Sequence, residues 1–367
     1  MRILFLAGRE TEYARNQVLL AAFRRFAEVE TVAATHKPAT LLGNSAIIAA
    51  RAAPLLLRKR YDLVFVGFYG HLIVRTIAPL VRSSLLFDAF VSTYDTLCFD
   101  RRIYAPDSPI GRAAFALDRA TAQRADHVLL DTAQHVEYFV ETFGLPRAKF
   151  SAVPVGCSDE IFRPVPLPLA QEIADRPIEI LYYSTFLPLH GIDVILEAAA
   201  RLRDRPIRFR LIGDGPALGA MQALAARLGL SNVRFEPPVS PSDLADAIAQ
   251  ADLCLGGHFY AGGKAGRVIP GKIYQMLAVG RPVIAVDAPG NRELLTHDEN
   301  AYLVPPADPD ALADAIRTLV DDPARRHALA RVGRARYAAC CTEIHITSRL
   351  QAIVADMTGI AANPGVS

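Results

Sequence analysis

Short apolar runs alternate with longer stretches of helical spacing along almost the whole chain, beginning at Ile3-Leu4-Phe5-Leu6-Ala7. A run too short for a helix, followed by one long enough to cross back, is the pattern of parallel β-strands joined by helices. In the first half the runs predict strands at Ile3–Ala7, Glu28–Ala33, Leu63–Gly67, Leu85–Val91, Val128–Asp131 and Phe150–Val153. Helical spacing lies between them, as at Asn16–Ala27 and Ile110–Arg124, and Thr132 stands where a cap for the next helix belongs.

The pattern breaks at Arg163-Pro164-Val165-Pro166-Leu167-Pro168, whose prolines suit a stiff extended connector. It then restarts, with strands expected at Ile178–Tyr183, Arg208–Ile212, Asn232–Glu236, Leu253–Leu255, Val283–Ala285 and Ala301–Val304. A chain of 367 residues, 51% hydrophobic and 21% charged, is long enough for two domains with cores of their own. The expected organisation is a doubly wound, Rossmann-like α/β domain over 1–163, a linker over 164–177, a second such domain over 178–340, and a final segment, 341–367. That segment is helical in period and is not needed to complete the second sheet, so it is expected to pack back on the first domain. Ligands of such sheets bind at the carboxyl ends of the strands, here in a cleft that the two domains face.

Charge and cysteine content narrow the function. A formal net charge of +2 gives no reason to expect nucleic acid. The five cysteines (Cys98, Cys157, Cys254, Cys340, Cys341) have no metal-ligand spacing and read as reduced thiols of a cytoplasmic protein. The first apolar run is too short for a signal segment and is followed by Arg9, Glu10 and Glu12. No run approaches membrane-spanning length. Residues Ala49–Arg60 are apolar with basic ends, which fits either a peripheral membrane contact at the inner face or an ordinary helix closed by basic residues.

The densest chemistry lies between Arg267 and Ala285. Pro270 suits the first position of a helix, and the amides of Gly271, Lys272 and Ile273 should then point out of its N-terminus. Gly271 admits close approach to the backbone, and Lys272 and Arg267 add positive charge, so a diphosphate fits better than a single carboxylate. The plainer reading is a proline-capped helix with solvated bases.

This stretch resembles the donor loop of the family 4 (group 1) retaining glycosyltransferases, whose Pro-x-Lys pattern is followed by a small-residue turn and Pro-Val-Ile. Gly213-Asp214-Gly215-Pro216, Val233-Arg234-Phe235, Ala251-Asp252-Leu253 and Gly290 with Glu293-Leu294-Leu295 resemble further signatures of that family in the right order. So do Ala125-Asp126-His127-Val128 and the stretch from Val153 to Pro164. The likeness covers roughly residues 120–340. It implies the GT-B fold, a nucleoside diphosphate sugar donor (UDP- or GDP-linked) and transfer to an acceptor hydroxyl with retention. It implies no metal and no other cofactor, and places the work in glycan, glycolipid or glycosylated-metabolite biosynthesis.

The departures mark a divergent branch. Where the family carries two glutamates, this chain has Arg267 and Gln275. Gln275 keeps the ability to hydrogen-bond a ribose, whereas Arg267 reverses a charge. The family's phosphate-binding arginine and lysine correspond to Ser184-Thr185 and His190-Gly191, so the phosphate charge falls to Lys272 and Arg267 with Lys264. The resemblance puts the nucleobase near Val239, contacted through backbone.

From the first domain, Asp95 is the candidate to deprotonate an acceptor hydroxyl, with Asp88, Asp100 and Arg101 nearby. A solvated polar loop is the alternative. Arg9, Glu10, Arg15 and Asn16 could hold a phosphate or polar acceptor, or simply cap and solvate. His258 follows a strand in a glycine-rich loop and joins Asp95 and Arg267 as a catalytic candidate, the alternative being a hydrogen-bonded structural histidine. The other histidines, His71 and His135 among them, carry no signal. The partners expected are the donor and a small-molecule, glycan or lipid-linked acceptor. Two other readings stay open: a non-catalytic nucleotide-sugar or glycan binder, and a nucleotide-sugar epimerase.

Overall fold

The computed structural model describes residues 1–34, 41–167, 176–260 and 262–360. The chain divides into two compact units, Met1–Ser158 with the segment from Thr342 on, and Asp159–Cys341.

The first unit holds β1 (Arg2–Ala7), β2 (Glu28–Ala33), β3 (Leu63–Val66), β4 (Ser84–Asp88), β5 (His127–Leu130) and β6 (Phe150–Ala152). They form one parallel sheet in the order β2-β1-β3-β4-β5-β6. Every residue of β3, and all of β1 beyond Arg2, is buried, as expected of central parallel strands covered on both faces. The edge strand β2 has no fully buried residue and carries Glu28 and Glu30. Helices α1 (Ala14–Arg24), α2 (Leu41–Arg58), α3 (His71–Ile77), α4 (Pro109–Arg124) and α5 (Ala133–Phe143) connect the strands. The Thr132 hydroxyl caps α5 by accepting from the His135 amide at 3.0 Å.

Strand β4 is shorter than the run Leu85–Val91 predicts. The chain leaves the sheet after Asp88, whose carboxylate takes two bonds from the fully buried Arg15 guanidinium, at 2.9 and 3.1 Å. Phe90 then turns with φ +47°. Arg15 also donates to the carbonyls of Val153 and Pro154 at 2.7 and 2.9 Å. Four acceptors tie it into the core, so Arg15 and Asp88 hold loops together rather than face a ligand.

The second unit holds β7 (Ile178–Ser184), β8 (Ile207–Gly213), β9 (Val233–Glu236), β10 (Leu253–Gly257), β11 (Val283–Val286) and β12 (Tyr302–Val304). Their order is β12-β11-β10-β7-β8-β9, all parallel. Helices α6 (Ile192–Arg201), α7 (Leu218–Arg227), α8 (Pro241–Gln250), α9 (Gly271–Val279), α10 (Pro309–Asp321) and α11 (Pro323–Cys340) flank it. The strand order reverses between β7 and β10, and sheets of this kind bind their ligands at the carboxyl ends of the strands beside such a switch point.

The proline-rich run packs within the second unit. The Val165 amide donates to the Val279 carbonyl at 3.1 Å, and Arg281 donates to the carbonyls of Val165 and Pro166 at 2.9 and 3.2 Å. Part of the expected linker, 168–175, lies outside the described residues. The last helix, α12 (Glu343–Thr358), belongs to the first unit, where Ile346, Leu350 and Val354 share a core with Val18, Leu19 and Phe23 of α1. Glu343 pairs with Arg25 at 3.1 Å. None of the five cysteines is joined in a disulfide.

Candidate functional site

At the switch point of the second unit, backbone packing brings two loops together. Gly191 has φ +63°, and a Cβ on it would stand 2.6 Å from the Phe259 carbonyl carbon. Only glycine fits there. The Phe259 amide donates to the His190 carbonyl at 3.1 Å. The rings of His190 and His258 consequently lie face to face, 5.1 Å between centroids and 3° between planes. His190 Nδ1 accepts from the Leu187 amide at 3.2 Å, which leaves the proton of the neutral ring on Nε2. His258 Nδ1 is buried and meets no partner among the described residues.

Helix α9 supplies the cation. Lys272 is 9% exposed, and its ammonium has the Tyr182 hydroxyl at 3.2 Å and the Tyr182 ring centroid at 4.3 Å. Among the described residues no carboxylate offsets it, so burial pulls its pKa down to about 7. Burial, helped by the charges of Lys272 and Lys264, pushes His190 down to about 2. His258 falls well below the usual imidazole range, through burial first and then His190, Lys272 and Lys264. One turn along α9, the Tyr183 hydroxyl donates to Gln275 Oε1 at 2.7 Å and approaches the Lys272 carbonyl at 3.3 Å.

The turn Gly263–Gly266 carries Lys264 and leads into Arg267. The Gly290 amide donates to the Gly266 carbonyl at 2.9 Å, and a Cβ on Gly290 would sit 2.5 Å from the Arg267 carbonyl carbon. The glycine of the Gly-x-x-Glu-Leu-Leu stretch therefore seats the turn that bears these two bases. Likewise a Cβ on Gly213 would lie 1.9 Å from the Ser184 oxygen, and one on Gly215 2.0 Å from the Thr185 oxygen. The Gly-x-Gly-Pro turn is thus moulded to the end of β7.

Two expectations need correction. Pro270 is the cap rather than the first helical residue, and α9 starts at Gly271. The Ile273 amide is occupied, donating to the Pro270 carbonyl at 2.9 Å, so it does not share in an open helix mouth. Thr185, Val239 and Gly271 are exposed, and Lys264, Arg267 and Gln275 are half-buried. Asp95 belongs to the first unit, buried in a short helical turn, Thr93–Asp95, rather than in a solvated loop. Its amide bonds the Ser92 hydroxyl at 2.9 Å, and that hydroxyl donates to Asp118 at 2.6 Å. Arg9 pairs with its neighbour Glu10 at 2.6 Å, and Asn16 donates to the Glu10 carbonyl at 3.0 Å.

Sequence reasoning missed the tyrosines. Tyr182 and Tyr183 read as core residues of a strand, and nothing in their spacing announces that both hydroxyls turn to α9. It also missed the buried Asp131–His135 pair, 2.7 Å apart, although the separation of one helical turn was there to be read.

The arrangement of a buried lysine, two stacked imidazoles and a helix N-terminus, with no acid among the described residues acting on the lysine or the rings, is built for an anion. Residues 177–322 match the model of the glycosyl transferases, group 1. The chain is 32% identical over 231 residues to the D-inositol 3-phosphate glycosyltransferase of Thermobispora bispora, covering 59% of this chain and 52% of that protein. It spans little more than half the length of several such curated relatives. Its fold is that of sucrose-phosphate synthase from Thermosynechococcus elongatus (TM-score 0.77, 18% identity, 98% of this chain and 100% of that one). It is also that of Anabaena HepE, solved in complex with UDP and glucose (TM-score 0.74, 18% identity, 97% and 100%). The matched segment contains the stacked histidines, Lys264, Arg267, Lys272 and Gln275, and the structural likenesses establish GT-B as the architecture of the two sheets.

Proposed function

We propose that the protein transfers a sugar from a nucleoside diphosphate sugar to an acceptor hydroxyl, with retention at the anomeric carbon. The carrying observation is the buried Lys272 ammonium at the start of α9, set among neutral imidazoles with no carboxylate of the described residues in its field. As the glycosidic bond breaks, the departing diphosphate gains charge, and fixed cations and amides that meet it lower the barrier. The Gly271 and Lys272 amides, Lys272, Lys264 and Arg267 supply those groups, and Gln275 and Val239 take the ribose and base. Asp95 is the proposed base toward the acceptor. The donor is UDP- or GDP-linked, as the names and complexes of the relatives suggest, and no metal or further cofactor enters the proposal.

Lys272→Ala tests the reading by calorimetry with UDP-glucose and GDP-mannose. Removing a charge that meets a diphosphate should weaken binding by about a hundredfold or more. Unchanged affinity would sink the assignment.

The acceptor side includes a membrane surface. Ile47 and Leu57 of α2 are 52% and 58% exposed, Arg51 and Arg58 share their face, and no acidic residue occurs from Leu41 to Arg60. No helix among the described residues is long and apolar enough to cross a membrane. A peripheral contact with anionic lipid is what such a face supports.

A further inference from the structure

The two stacked imidazoles differ in what they can do with a proton. His190 already uses Nδ1 to accept from the Leu187 amide, and a proton there would abolish that bond and leave the amide facing a donor. His258 has no such commitment, since its Nδ1 is buried with no partner among the described residues. A charged His258 would lie flat on a neutral ring, a favourable neighbour for a cation.

We propose that His258 takes up one proton from solvent when the donor diphosphate binds, while His190 stays neutral beneath it, so that donor affinity is linked to proton concentration through this one ring. The inference rests on reading this cluster as the diphosphate site. The groups that act on the pair are Lys272 from α9 and Lys264 from the turn before it, and beside Lys272 lies the phenol of Tyr182 from β7, whose proton burial holds firmly. The charges that act on the two rings are cationic, Lys272 and Lys264. In the empty site they oppose protonation of His258. A bound diphosphate reverses the sign of the local field, and the ring with a spare nitrogen is the one that responds.

Calorimetry of UDP-glucose binding at pH 6.0, in buffers of different ionisation enthalpy, counts the protons. At that pH Lys272, with its pKa of about 7, is already mostly charged, and the donor's diphosphate does not titrate. The expected result is close to one proton taken up per UDP-glucose, and an affinity that falls up to about tenfold per pH unit on raising the pH from there. His258→Gln should bring the uptake near zero, whereas His190→Gln should keep it. Tight binding without uptake, or uptake lost with His190→Gln and kept with His258→Gln, overturns the proposal while leaving the donor site standing. If neither UDP-glucose nor GDP-mannose binds, the donor reading itself falls. Nitrogen shifts of labelled histidine in the unaltered protein need no variant. On adding UDP-glucose, one ring should become imidazolium, and two neutral rings would contradict the assignment.

Discussion

With a phenol and its ring against the ammonium and no carboxylate acting on it among the described residues, Lys272 loses affinity for its proton until it titrates near neutrality. The sign of the stability effect follows. The unfolded chain holds this proton up to about pH 10.4, so between pH 7 and 10 it binds more protons than the folded state, and stability rises with pH. Below pH 7 the burial cost is present in full. Without ligand, wild type should gain on Lys272→Met across that window by at most roughly 1.4 kcal/mol per pH unit. Thermal melts of the two proteins at pH 7, 8 and 9 read this directly, and parallel curves would refute a buried, unpaired ammonium. The sequence announced Lys272 through Pro270 and Gly271. It could not announce the histidine stack, because the alignment of those rings depends on Gly191 packing on Phe259, a contact between distant parts of the chain.

At the level of strands and turns, the apolar interiors were legible because parallel strands covered on both faces need unbroken apolar runs. Their ends were not. Arg15 ends β4 through a long-range pair, and the close approach of Gly213 to Ser184 shapes the end of β7. Gly213 has φ +143°, so Gly213→Ala strains the backbone and drives a methyl against a carbonyl oxygen. A loss of at least ~2 kcal/mol is expected by denaturant titration. A substitution that leaves stability unchanged would mean the turn sits elsewhere. Helix α2 makes a different prediction. Ile47→Glu with Leu57→Glu should abolish co-sedimentation with anionic phosphatidylglycerol vesicles while phosphatidylcholine vesicles capture neither protein, since the face offers both apolar contact and charge. Equal capture of both proteins by anionic vesicles would dismiss the contact.

For the molecule as a whole, α12 is the element that ties the end of the described chain to its beginning. It carries Ile346, Leu350 and Val354 into the core that α1 lines, all three at most 1% exposed. A chain ending at Cys341 would uncover that face, at a cost of about 5–9 kcal/mol for three buried aliphatic side chains. Limited proteolysis with mass analysis should then find cuts within residues 1–158 while 159–341 resists. Equal resistance of both regions would show that the helix is dispensable. The restart of the strand pattern and the surplus last helix were both readable in the sequence. The packing of the proline run was not, because it depends on bonds to Val279 and Arg281.

That return has a bearing on how the protein is made. On the ribosome, Val18, Leu19 and Phe23 emerge early, yet the helix that covers them is translated only after the entire second sheet. The half that is synthesised first is the last to be sealed, and for most of translation it presents a greasy stripe to whatever chaperone stands at the tunnel exit.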